Sequence, residues 1–143
     1  MGTIDPPVNF IKKALVKRVF YLKIRMKKEL LKINKEYVDR YSLDSCFIGK
    51  SIVIYDDRYE HIEKHEAEFS SKEEYYNALN NIKYIVHNPD FIRVDINKKG
   101  MYFIKTLRDN IMVVIRVSNS RKLKVRTLYL INNTKKQRLK NIS

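Results

Sequence analysis

From Val8 to Tyr37 no proline or glycine interrupts the chain, and Ile11, Leu15, Val19, Leu22, Met26, Leu30, Ile33 and Tyr37 recur at spacings of three and four. Such spacing places them on one stripe of an α-helix. It predicts an amphipathic N-terminal helix roughly 40 Å long at 1.5 Å per residue. A polar connection, Asp39 to Asp44, follows, and the run Cys46 to Tyr55 (CFIGKSIVIY) reads as a strand broken at Gly49-Lys50. Asp56-Asp57 can start a helix over Arg58 to Glu66, since carboxylates favour a first helical turn. Ser70-Ser71-Lys72-Glu73-Glu74, with Ser followed three residues later by Glu, is a second start signal. It predicts a helix from Lys72 to Val86 with Tyr75, Leu79, Ile82 and Val86 inward, stopped by Pro89.

The pattern then changes period. Phe91 to Ile96, Met101 to Leu107, Ile111 to Val117 and Leu123 to Ile131 are β-rich runs separated by the short polar turns 97–100, 108–110 and 118–122. Helices followed by an antiparallel meander predict an α+β fold. The expected organisation is a helical arm over residues 1–38 and an α+β domain over residues 39–143. The tail carrying Lys135, Lys136, Arg138 and Lys140 reads as frayed or weakly helical.

Charge alters this picture. The chain carries +14 at neutral pH, and an excess of that size favours a polyanionic partner. Much of it lies on the polar face of the N-terminal stretch, where Lys12, Lys13, Lys17, Arg18, Lys23, Arg25, Lys27, Lys28, Lys32 and Lys35 face only Glu29 and Glu36. Such a face can track phosphates without reading sequence. It can equally be a solvated face, or lie on an anionic membrane surface. Lys124, Arg126, Lys135, Lys136 and Arg138 add further candidate phosphate contacts. Cys46 is the only cysteine, so no internal disulfide forms; a reducing, cytoplasmic location is expected, with Cys46 as a small buried hydrophobe. No apolar stretch approaches the roughly 20 residues that span a bilayer, and Met1 to Pro7 do not read as a signal peptide.

His61 and His65 are four apart, so on a helix both imidazoles project from one face. Histidine changes charge near neutral pH, which suits it to passing protons in phosphodiester cleavage. The same spacing could hold zinc, but Ile62 stands where the metalloprotease motif needs glutamate. His87 ends a helix, where a structural role is expected. In the last strand, alternation places Leu123, Val125, Thr127, Tyr129 and Ile131 on one face and Lys124 and Arg126 on the other. Arg116 and Lys105 each end an apolar strand face, as a snorkelling side chain does or as a contact to transition-state charge would. No Gly-rich phosphate loop, paired cysteines, serine elbow or carboxylate cluster accompanies them, so neither metal nor cofactor is expected.

The order of these segments resembles the phage-associated branch of the barnase/EndoU/colicin/RelE-like nuclease superfamily over Tyr59 to Arg138. The residues carrying the likeness are His61-Ile62-Glu63-Lys64-His65, Ile85 to Ile92 around Asn88-Pro89-Asp90, Met101 to Lys105, Ile111 to Arg116 and Val125 to Tyr129. The resemblance implies helices packed on a small, four-stranded antiparallel sheet, and ribonuclease chemistry. It also implies His61 or His65 as the proton-transfer residue, Lys105 and Arg116 as phosphate contacts, and Thr127 as an active-site hydroxyl; Tyr129, on the same expected strand face, is a further candidate hydroxyl. The long basic helix before Asp39 is outside the resemblance.

The leading expectation is a metal-independent endoribonuclease that leaves a 2′,3′-cyclic phosphate on RNA, with tRNA among its candidate substrates. From another class comes a nucleic-acid-binding or partner-binding module on the same scaffold that does not cut. An acidic antidote protein, or homo-oligomerisation through the N-terminal helix, are the further partners considered.

Overall fold

The computed structural model describes residues 27–141 of the chain. The elements run β1 (Lys27–Lys32), α1 (Lys35–Tyr41), a 3-10 turn (Ser45–Phe47), β2 (Ser51–Tyr55), α2 (Asp57–Ile62) and a second 3-10 turn (Glu63–Glu68). Then come α3 (Lys72–Asn80), α4 (Ile82–His87), β3 (Phe91–Asp95), β4 (Gly100–Thr106), β5 (Asn110–Arg116), β6 (Lys122–Ile131) and α5 (Asn133–Asn141). The fold is α+β, but among the described residues the sheet has six strands in the order β1-β2-β6-β5-β4-β3, not four. It is also mixed: β2 runs parallel to β6, and every other pair is antiparallel.

The expected long N-terminal helix is corrected over its described part. Lys27–Lys32 is an edge strand paired with β2, and Val8 to Met26 lie outside the described residues. The register shifts between Glu29 and Leu31, a bulge that buries both Leu30 and Leu31. A bulge breaks the two-residue alternation of a strand. Leu30, Leu31 and Ile33 therefore mimic helical spacing, and pairing with β2 decides the conformation. Helix starts at Lys35, where the Asn34 side chain accepts the Tyr37 N–H at 2.8 Å.

The expected helix from Lys72 to Val86 is two. Ser71 caps the first through the Glu74 N–H at 3.1 Å. Asn81 breaks the run with its side-chain amide on Asn77 O at 2.6 Å, competing with the helical ladder. Gly49, at φ +90°, takes a left-handed conformation before β2, so the strand begins at Ser51 and not at Cys46. Cys46 is exposed in a 3-10 turn that directs Phe47 into the core, so it is not the buried hydrophobe expected.

The main core lies between the helices and one sheet face, where Ile62, Ile85, Val86, Met101, Phe103, Val113, Ile115 and Leu123 are fully enclosed. Two hydrogen bonds tie its parts together. Tyr37 OH donates to Val86 O at 2.5 Å, and His87 Nε2 meets Leu30 O at 2.7 Å. A carbonyl only accepts, so His87 carries its proton on Nε2 and fastens α4 to β1. A smaller apolar cluster, Ile104, Met112 and Ile131 with Tyr102 and Tyr129, covers part of the opposite sheet face. Among the described residues no helix is long and apolar enough to cross a membrane.

Candidate active site

The local feature that builds the site is a bulge in β6. Thr127 sits opposite Val114 but Val125 sits opposite Ile115, so Arg126 is the extra residue. One inserted residue turns every later side chain to the other face. Leu123 and Val125 therefore belong to the main core, while Tyr129 and Ile131 join the second cluster. The single face expected for Leu123, Val125, Thr127, Tyr129 and Ile131 is split at this point.

Beside the bulge a cavity of about 210 Å³ is lined by Tyr55, Arg58, Arg116, Lys124, Val125 and Arg126. Arg116 and Lys124 are direct partners across β5 and β6, and Arg58 comes from α2. Lys124 Nζ stands 5.5 Å from the centre of the Tyr55 ring. Four cations share this cavity, and among the described residues its wall contains no carboxylate. Concentrated like charge of this kind attracts an anion the size of a phosphate.

His61 follows Arg58 by three residues in α2, so the two share a helix face. Its imidazole is pushed below the ordinary histidine value by partial burial, and further by the charges of Arg58, Lys64, His65 and Arg126. It is therefore mostly neutral at pH 7, the form in which it accepts a proton. His65 is placed differently from the expectation of one continuous helix. The α-helix ends at Ile62, and His65 lies in the 3-10 turn, where residues three apart eclipse. Its Nδ1 is 2.5 Å from Glu68 Oε2, and its ring meets Tyr129 edge-on at 4.5 Å between centroids and 68° between planes.

The other candidates are dispersed. Thr127 is buried, and its hydroxyl donates to Leu128 O at 3.5 Å. Lys105 pairs with Ile111 whereas Arg116 pairs with Gly100, so they stand at opposite ends of the β4–β5 ladder, roughly 17 Å apart along the strands. Lys105 is 3.3 Å from Asp90 and 5.5 Å from the centre of the Tyr84 ring. Lys136 also contacts Asp90, at 3.5 Å, and hydrogen-bonds Thr106. Lys135 and Arg138 are exposed on α5. Lys12, Lys13, Lys17 and Arg18 lie outside the described residues. Arg58 and Tyr55 were not among the sequence candidates. The three-residue step from Arg58 to His61 was a readable signal for the first.

The structure is thus that of a small α+β protein with a cation-lined cavity, two of whose cations, Arg58 and Arg126, act on the His61 imidazole. The chain belongs to the family described as phage-Barnase-EndoU-ColicinE5/D-RelE like nuclease3 (PBECR3), whose model matches residues 17–138. It is a nuclease of the barnase/EndoU type, with a phage-associated family theme. The match begins well before Asp39, so β1, α1 and β2, which the resemblance left out, lie within it. No curated protein and no solved structure matches the chain.

Proposed function

We propose that this nuclease cuts RNA without a metal ion. Neutral His61 takes the proton of the 2′-hydroxyl as that oxygen attacks the adjacent phosphorus. Arg58, Arg116, Lys124 and Arg126 bear the charge that accumulates on the phosphate. His65 acts as the general acid, giving a proton to the departing 5′-oxygen and leaving a 2′,3′-cyclic phosphate. The observation that carries this reading is a cavity with four cationic side chains in its wall, two of which, Arg58 and Arg126, also depress the His61 imidazole. Lys105 keeps a structural role in this scheme, held by Asp90. Lys12, Lys13, Lys17 and Arg18 add sequence-independent phosphate contacts. The same positive cavity suits an acidic inhibitor protein that competes with RNA.

The test is incubation with tRNA and total RNA in excess chelator, with end-group analysis of the products. Cyclic phosphate termini are expected from the wild type, and His61→Ala should lose roughly 10²- to 10⁴-fold in rate. Intact RNA, or equal cleavage by the His61→Ala/His65→Ala double variant, overturns the proposal.

A further inference from the structure

The 3-10 turn after α2 places a carboxylate against a histidine on geometric grounds. At three residues per turn, Glu68 falls directly over His65, and the 2.5 Å contact joins Oε2 to Nδ1. An ionised carboxylate has no proton to give, so Nδ1 must supply the hydrogen of this bond. The Glu68 side chain is 41% exposed and stays in reach of water, while that of His65 is only 19% exposed. The edge-on Tyr129 ring limits the imidazole from another direction. A ring held at one nitrogen and bounded by an aromatic neighbour has little freedom to flip.

We propose that Glu68 is a positioning residue: it fixes the tautomer and ring direction of His65, so that Nε2 is the nitrogen presented to the substrate. The proposal rests on the ribonuclease reading, because it assigns His65 a proton to deliver. Glu68 touches no reacting atom in this scheme. It keeps His65 in the orientation that proton transfer needs, and misplacement of a catalytic group by about 1 Å can cost roughly 10²-fold.

Nitrogen-15 NMR of the imidazoles in the full chain, with cleavage kinetics, tests it. Neutral His65 should show the Nδ1–H form in the wild type and lose that preference in Glu68→Ala, with kcat down about 10- to 100-fold and KM unchanged. Glu68→Gln should recover part of the rate, because its amide oxygen can accept the same bond. An Nε2–H form in the wild type, or wild-type kcat in Glu68→Ala, overturns the assignment. The wild-type spectrum decides the tautomer even if Glu68→Ala fails to fold. A wild type with the Nδ1–H form that cuts no RNA refutes the ribonuclease reading and leaves the hold on His65 standing. An Nε2–H form in a wild type that does cut refutes the positioning alone.

Discussion

Replacing Arg58 with alanine removes a cation that lines the cavity and is also the charge that depresses His61 most. Alanine is the better helix former, so α2 should persist. Taking a phosphate charge about 5 Å away and an effective dielectric of about 40 to 80 for an open site, the lost attraction is about 1 to 2 kcal/mol. That corresponds to roughly 5- to 30-fold weaker RNA binding, read at fixed salt. The second consequence is in pH. His61 acts while neutral, so the rate rises with pH through its folded value, which lies below the ordinary value of 6.5. With Arg58 gone, the protonated form is less disfavoured, and the acid limb should move up towards 6.5. Arg58→Lys keeps the charge and should leave the limb near its wild-type position. The assay is kcat/KM for a short RNA from pH 4.5 to about 8, the range in which a histidine titrates. An acid limb that stays put or moves down in Arg58→Ala, with unchanged affinity, would refute the placement of Arg58 and His61 at one site.

Three other outcomes are expected. Phe103 is fully enclosed in the main core, so Phe103→Ala should cost about 3 to 5 kcal/mol in denaturant unfolding; a loss below about 1 kcal/mol would contradict that packing. For Asp90, partial burial raises the carboxyl value, but the Thr106 N–H, Lys105 and Lys136 outweigh it and hold the group below 3.8. Its stabilisation is therefore complete above about pH 4 and disappears as pH falls through the lower folded value. Asp90→Asn should lower Tm at pH 7 and less so at pH 3, and a gap that widens in acid would be the wrong sign. Lys105 stands away from the cavity, so Lys105→Ala should fall well short of the roughly 10²-fold rate loss of a removed transition-state contact; a loss that large would place Lys105 at the substrate.

Much of the scaffold was written in local pattern. Alternation and turn residues marked the β-rich runs of the second half, Ser71 marked a helix start, and the order of motifs pointed to the nuclease superfamily. The histidines and the basic excess were legible as chemistry because residue type alone fixes what imidazole and guanidinium groups can do. Local pattern failed where a partner strand chose the conformation. Leu30, Leu31 and Ile33 satisfy a helical stripe and a bulged edge strand alike, and only β2 beside them selects the strand. The bulge at Arg126 was equally invisible, because one extra residue leaves no mark in composition yet reverses the face of Thr127, Tyr129 and Ile131.

The sequence by itself determined the α+β class, the positive charge and the residue types available for proton transfer. Tertiary structure decided which of them meet. It brought Arg58, Arg116, Lys124 and Arg126 around one cavity, carried Lys105 to the far end of the sheet, and set Glu68 over His65. The physical reason is range. Turns, caps and periodicity act over a few neighbouring residues, whereas strand pairing and register join residues far apart in the chain and are fixed by the burial of the whole sheet.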